Sequence, residues 1–177
     1  ISEADMRKLL FEGLLRRPLT ERAPIADDAA VSQLAQSLDT AARKRLGRSL
    51  AIRQVDAGSC NGCELEIHAL GNPYYNLEGL GIRFVASPRH ADMLLVTGPV
   101  AKNMEHALKI AWEATPEPKL VVAVGDCGCT GGIFGESYAS CGKVANVIPV
   151  DVAVPGCPPT PIAILQGILT AVASRGE

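Results

Sequence analysis

The sequence predicts an α/β protein built on a doubly wound, parallel sheet of about five strands. Short apolar runs alternate along the chain with segments whose apolar residues recur at helical spacing, which is the pattern of repeated βαβ units. The run 120–124 is apolar at every position, as expected of a strand covered on both faces. A cysteine follows three of the runs closely, at Cys60, Cys127 and Cys157.

Residues 1–47 are predicted to form a helical extension ahead of the sheet. A capping-box pattern begins at Ser2, and the amphipathic pattern behind it ends before Pro18. A second amphipathic pattern runs from Asp27-Asp28 to a stop at Gly47, with basic residues in its last turn. Two helices are therefore expected before the first strand.

The extension differs from the sheet domain, predicted over residues 48–177, because it contains no cysteine and has prolines between its helices. The apolar face of its first helix consists of Met6, Leu9, Leu10 and Leu14. This face either packs on its own domain or docks the protein on a membrane or a neighbouring subunit. The sequence leaves both interpretations open.

The sheet domain alternates predicted strands with predicted helices. Strands are expected near residues 50–56, 82–86, 93–97, 120–124 and 147–154. Helices are expected to open at Cys63, to cross Asn103–Ala114, and to follow the prolines after Cys157. Right-handed crossovers would place helices on both faces of the sheet, so we expect a flavodoxin-like arrangement.

The composition excludes several kinds of partner. A formal net charge of −2 over 177 residues gives no basic surface of the kind that binds nucleic acid. The sequence contains no run of about 18 apolar residues, the length needed to cross a bilayer, and its start has no signal-peptide pattern. The six cysteines are therefore expected in a reducing compartment, free for a metal or for catalysis.

Four cysteines are expected to meet at the carboxyl edge of the sheet, where ligands of such folds bind. Cys60 and Cys63 form a C-x-x-C motif behind the first predicted strand, and Cys127 and Cys157 each follow a later strand. Glycines stand beside all four, and a glycine lets the backbone approach a bulky group closely. Backbone N–H groups at strand-to-helix turns can also bond to cluster sulfide.

Three kinds of chemistry suit this cysteine set. Four cysteines can hold a tetrahedral zinc ion or an iron-sulfur cluster, and a C-x-x-C motif alone can form a redox disulfide. Zinc modules usually pair two C-x-x-C motifs, whereas here one motif is joined by two single, distant cysteines. The spacing therefore favours an iron-sulfur cluster, and the distant cysteines argue against a simple disulfide.

The remaining candidates have ordinary interpretations. Cys129 and Cys141 are expected to be free thiols, because Cys129 faces away if Cys127 is a ligand. The three histidines have no companion at metal-ligand spacing and are expected on the surface or on helix faces. Glu64 and Glu66 are expected to be solvated or ion-paired, with a proton relay through Glu64 as the alternative.

Three motifs then carry a family resemblance. They are G-S-C-N-G-C-E-L-E-I at 58–67, G-D-C-G-C-T-G-G-I-F-G-E-S-Y-A at 125–139, and I-P-V-D-V-A-V-P-G-C-P-P-T-P at 148–161. They resemble the small-subunit family shared by nickel-iron hydrogenases and the B-type subunit of respiratory complex I. The resemblance covers about residues 50–173 and implies one 4Fe-4S cluster, held by Cys60, Cys63, Cys127 and Cys157.

The resemblance also implies the role of the chain. It would be the electron-transfer subunit of an oxidoreductase complex, without a catalytic site of its own. Electrons would pass between a nickel-iron large-subunit active site and other iron-sulfur subunits. The expected partners are that large subunit or its complex I-like homologue, a ferredoxin-like iron-sulfur subunit, and integral membrane subunits.

Departures from the family patterns indicate which branch of the family this sequence resembles. Complex I subunits carry adjacent cysteines in the first motif, whereas here Asn61 and Gly62 separate the two cysteines, as in hydrogenases. Uptake hydrogenase small subunits add a two-cluster C-terminal part and usually a twin-arginine signal, which this sequence does not show. The resemblance thus favours membrane-bound, energy-converting (group 4) hydrogenases of the formate hydrogenlyase type, peripheral on the cytoplasmic side of the membrane.

Two alternatives accompany this interpretation. The nearer one is the equivalent cluster subunit of a quinone- or sulfur-reducing, complex I-like oxidoreductase. The more distant one is a structural zinc-binding adaptor. A further departure is Cys129, where relatives often have alanine or serine, and it bears on the identity of the third cluster ligand.

Overall fold

The computed structural model describes residues 28–78 and 82–174. Within these ranges five strands form one parallel sheet: β1 (Ala51–Asp56), β2 (Arg83–Phe84), β3 (Met93–Thr97), β4 (Leu120–Val124) and β5 (Val152–Val154). Their order across the sheet is β2-β1-β3-β4-β5. This is the flavodoxin-like order, with a switch point between β1 and β3, so the predicted fold class is confirmed.

Helices precede, connect and follow these strands. They are α1 (Asp28–Leu46), α2 (Gly62–Ala69), α3 (Glu105–Ala114), α4 (Gly125–Thr130) and α5 (Pro161–Ser174). All but α4 are predicted by the sequence, and α4 is too short to show a helical period. Within the described ranges, none of the helices combines the length and apolarity that a membrane span requires.

The register of the central strands brings their carboxyl ends level. Asp56 of β1 lies beside Thr97 of β3, and Thr97 lies beside Val124 of β4. Val124 in turn lies beside Val154 of β5. The turns that follow β1, β3, β4 and β5 therefore open along one edge of the sheet.

Both outer strands are shorter than predicted. The run 147–154 pairs with β4 only over Val152–Val154. Pro149 has no N–H to donate to a ladder, and the 3-10 turn Val144–Asn146 lies directly before the run. The predicted strand 82–86 pairs over Arg83–Phe84 and ends where Ser87 caps the next 3-10 turn.

The core has two parts, one on each face of the sheet. Leu50, Ile52 and other apolar residues meet α1 and α5 on one face, while Leu94 and Val96 meet α3 on the other. Leu38 of α1 is fully buried in the first part. The apolar face of α1 thus packs within the α/β core. The predicted first helix of the extension, before Pro18, lies outside the described residues, and docking by residues 1–47 stays a prediction.

Candidate metal centre

The four predicted ligand cysteines lie in the turns at the carboxyl edge of the sheet. Cys60 follows β1, and Cys63 lies in the first turn of α2. Cys127 lies in α4, directly behind β4, and Cys157 follows β5. Cys60 and Cys157 are exposed, while Cys63 and Cys127 are partly buried.

The three cysteine turns touch one another. A Cβ built on Gly125 would stand 2.5 Å from the Cys63 Sγ, which joins the turn after β4 to the C-x-x-C turn. A Cβ built on Gly62 would stand 3.9 Å from Pro158, which joins that turn to the one after β5.

The four thiols are close enough to feel one another's charge. Burial raises the pKa of the Cys63 thiol to about 12, and the charges of Glu64, Cys60, Cys127 and Cys157 add to this effect in that order. Burial also raises the pKa of Cys127, followed by the charges of Cys157 and Cys60. The structure therefore brings together the complete set that the sequence predicts.

This donor set fits a cationic group. Burial and mutual repulsion both disfavour ionised thiols here, so the four can be thiolates together only beside positive charge. A bound metal group would supply that charge, and thiols that coordinate a metal are deprotonated. Among the described residues, no three His, Cys, Asp or Glu side chains are arranged to hold a single metal ion.

Glycines shape the cradle around the thiols. Gly125 has a φ of +85°, and a side chain there would collide with the Cys63 Sγ. Gly132 has a φ of +56°, and its Cβ would stand 2.8 Å from the Cys127 Sγ. Both positions combine a backbone conformation that favours glycine with a close approach to a thiol.

Two aspartates that the sequence analysis missed hold the cysteine turns. The Asp56 Oδ1 accepts hydrogen bonds of 2.8 Å from the backbone N–H groups of Gly58 and Ser59, just before Cys60. The Asp126 Oδ1 accepts a hydrogen bond of 2.7 Å from the backbone N–H of Gly156, just before Cys157. Their signal in the sequence is an aspartate placed directly before a glycine-containing or cysteine-containing turn, a position that aspartate favours.

Cys129 and Cys141 lie apart from the four-thiol group. The Cys129 Sγ points to the carbonyl oxygen of Ala123 at 3.6 Å, and burial, with a smaller effect from Asp126, raises its pKa to about 11. Cys141 is buried, with its Sγ 3.3 Å from the Glu105 Oε2. The three histidines are exposed, as expected.

The environment of Glu64 differs from the expectation that this residue is solvated or ion-paired. It is only 5% exposed, and neither carboxylate oxygen has a hydrogen-bond partner within the described part of the chain. It is therefore neither solvated nor ion-paired there. The reason is its position on α2, where Glu64 and Ile67 share the buried face at a spacing of three residues.

Separate from the thiols, a cavity of about 620 Å³ lies beside β2, lined by Arg53, His68, Phe84 and their neighbours. None of the four candidate cysteines lines it. The chemistry suggested by the thiols is therefore located at the edge of the sheet and not in this cavity.

The part of the chain that contains the four cysteines is also the part that resembles known proteins. The sequence matches the family described as NADH ubiquinone oxidoreductase, 20 Kd subunit, over residues 60–171. It is 49% identical over 129 residues to the probable membrane-bound hydrogenase subunit mbhJ of Pyrococcus furiosus, covering 73% of this chain and 77% of that protein. It is 43% identical over 149 residues to formate hydrogenlyase subunit 7 of Escherichia coli. That match covers 84% of this chain and 57% of the longer relative.

A solved structure agrees with these relatives. The chain resembles a subunit in the structure of the membrane-bound sulfane sulfur reductase (MBS), an archaeal respiratory membrane complex, with a TM-score of 0.63 and 35% identity. The likeness covers 79% of this chain and 77% of that one. These similarities confirm the resemblance predicted from the three motifs. The chain belongs to the family of the 20 Kd subunit of NADH ubiquinone oxidoreductase.

Proposed function

We propose that this chain carries one 4Fe-4S cluster on Cys60, Cys63, Cys127 and Cys157. In this proposal it relays electrons inside a membrane-bound hydrogenase complex, between a nickel-iron large subunit and other iron-sulfur subunits. The observation that carries the proposal is the convergence of the four thiols. Besides burial, the charges of Cys60, Cys127 and Cys157 all raise the pKa of the Cys63 thiol. When bound, the cluster would supply one-electron chemistry.

The chain's own residues would hold and shield that group. Cys63 and Cys127 would be the inner ligands because they are partly buried, and Cys60 and Cys157 would face the surface. Gly125 and Gly132 would leave room beside the inner thiols. This division favours a route for electrons through the side of the site that carries Cys60 and Cys157.

The surface near this edge suits a permanent partner. The loop behind α4 exposes Ile133 at 94%, Phe134 at 58% and Tyr138 at 99%. Large apolar side chains that are exposed together in one loop are typical of interaction sites. We assign this loop to a contact with the large subunit or its complex I-like homologue. A ferredoxin-like subunit and integral membrane subunits would complete the complex.

The same proposal locates the chain peripherally on the cytoplasmic side of the membrane, with residues 1–47 as a docking extension. Removal of residues 1–17 tests this point. The truncated chain should be lost from the membrane complex while it keeps its cluster. Unchanged attachment would rule docking out, and loss of the cluster would indicate a role in folding.

A second candidate function has a specific observation in its favour. The similarity to a subunit of the sulfane sulfur reductase supports an equivalent cluster subunit in a quinone- or sulfur-reducing complex. The higher identity to the hydrogenase subunit, 49%, favours the hydrogenase. A structural zinc-binding adaptor is the more distant alternative.

The native membrane complex, purified without oxygen, distinguishes these functions. In a hydrogenase, nickel is found in the large subunit, and hydrogen gas produces the electron paramagnetic resonance signal of a reduced cluster. Cys157→Ser in this chain should abolish or alter that signal while the nickel content stays the same. A nickel-free complex whose cluster is not reduced by hydrogen would instead support the quinone- or sulfur-reducing function.

A further inference from the structure

In the described part of the chain, three aspartates form the same reciprocal pair of hydrogen bonds with the backbone of a residue on, or just beyond the end of, a neighbouring strand. In each, the aspartate N–H donates to a carbonyl oxygen, and the side chain accepts from the N–H of that same residue. The pairs are Asp92 with Ala51 (2.8 and 3.0 Å), Asp151 with Val121 (2.9 and 2.8 Å), and Asp126 with Gly156 (2.9 and 2.7 Å).

Two of these pairs lie away from the thiols. Asp92 and Asp151 precede β3 and β5, so they join strands at the amino edge of the sheet. Asp126 lies at the opposite edge, behind β4. Of the three aspartates, it is the one beside a candidate ligand.

The Asp126 pair continues the ladder of β4 and β5. Val122 lies beside Val152, and Val124 lies beside Val154. Asp126 and Gly156 are the next partners in that register, although both have left their strands. The following residues are Cys127 and Cys157, which the pair thus keeps level across the two turns.

Asp126 also lies within electrostatic reach of the thiols. It precedes Cys127 directly in the chain, and its Oδ1 lies 2.7 Å from the backbone N of Gly156, the residue before Cys157. It occupies the N–H of Gly156 as well, so this donor is not free to bond to a cluster sulfur. Negative charge and fewer hydrogen bonds to sulfur both favour the oxidised form of a cluster.

We propose that Asp126 is a positioning residue that sets the spacing of Cys127 and Cys157 and, through its charge, favours the oxidised state of the group they hold. This inference rests on the proposed cluster site. Asp126→Asn keeps an oxygen that accepts from Gly156 but removes the charge. Asp126→Ala removes both, and Asp151→Ala removes the matching pair at the far edge of the sheet.

The test compares these variants in the full chain. With the cluster bound, Asp126→Asn should retain its iron and show a more positive midpoint potential in a redox titration. Asp126→Ala should release iron to a chelator several-fold faster than the wild type. Asp151→Ala should lower thermal stability but leave the midpoint potential unchanged. Equal potentials for wild type and Asp126→Asn, or equal iron release for Asp126→Ala and Asp151→Ala, would overturn the proposal.

A second measurement needs no cluster. A short bifunctional thiol reagent should cross-link Cys127 to Cys157 in the iron-free full chain, and mass spectrometry gives the yield. The yield should fall several-fold in Asp126→Ala, recover in Asp126→Asn, and stay high in Asp151→Ala. A yield independent of Asp126 contradicts the positioning role. If the wild type binds no cluster but its cross-linking yield still depends on Asp126, the proposed function is contradicted and the positioning role is not.

Discussion

Gly125 lies directly against the thiol of Cys63: a methyl group at Gly125 would stand 2.5 Å from the Cys63 Sγ. A sulfur and a carbon atom cannot approach this closely, so one of the two turns would have to move. The contact joins the C-x-x-C turn after β1 to the cysteine turn after β4. Replacing one hydrogen atom of Gly125 by a methyl group would therefore change the geometry of the four-thiol group.

Gly125→Ala should therefore lose most of the cluster. Gly47→Ala is a matched control, because Gly47 also has a positive φ, +68°, but its Cβ would meet nothing within 4 Å. Each substitution should lower the free energy of unfolding by about 1–2 kcal/mol, because alanine disfavours the left-handed backbone conformation. Iron per chain should fall only in Gly125→Ala, and equal iron in both variants would contradict the cradle.

Cys127→Ser and Cys129→Ser should behave in opposite ways. Cys127 shares the four-thiol group, whereas the Cys129 Sγ points back to the carbonyl oxygen of Ala123. Cys127→Ser should lose the cluster absorbance in the visible region, and Cys129→Ser should keep it. The reverse result would move the third ligand to Cys129.

Leu38→Ala should destabilise the whole α/β unit by about 2–5 kcal/mol, as expected for a large buried side chain. Leu38 is fully buried between α1 and the sheet core. Ser37→Ala, at the exposed neighbouring position, should change the free energy of unfolding by less than about 0.5 kcal/mol. Denaturant unfolding measures both. A small effect of Leu38→Ala would mean that α1 is separable from the core.

Glu105 should stabilise the fold only above acidic pH. Its pKa is lowered, first by the hydrogen bond from Lys109, then by that from the Cys141 thiol and by the charge of Lys109. A lowered pKa adds stability that is fully present above the unfolded value, about 4.3, and is lost as the pH falls through the folded value. Glu105→Gln should therefore be less stable than the wild type at pH 7.

Thermal unfolding at several pH values checks this expectation. The difference between wild type and Glu105→Gln should shrink below about pH 4.3 and vanish at lower pH. A difference that persists in acid would mean that the effect of Glu105 does not come from its charge.

The central strands could be predicted from the sequence because burial and pairing coincide there. In β3 and β4 every residue is buried, and the apolar runs end where the strands end. In the run 147–154 the two properties separate. Ile148 is buried in the second part of the core but belongs to no strand, so its apolar character overestimates the length of β5.

The candidate site was predictable as a set of residues but not in its details. Three strands followed by cysteine are enough to expect four thiols at one edge. The burial of Glu64 depends on which face of α2 meets the core, and eight residues show too weak a period to decide this. The roles of Asp56 and Asp126 depend on backbone N–H groups in turns, which leave no pattern of hydrophobicity.

Iron and acid-labile sulfide, measured together in the anaerobically purified full chain, test the central claim most directly. The account predicts about four iron atoms and about four sulfides per chain. It also predicts their loss when serine replaces Cys127 but not when serine replaces Cys129. Zinc without acid-labile sulfide, or an iron content unaffected by the loss of Cys127, would contradict it.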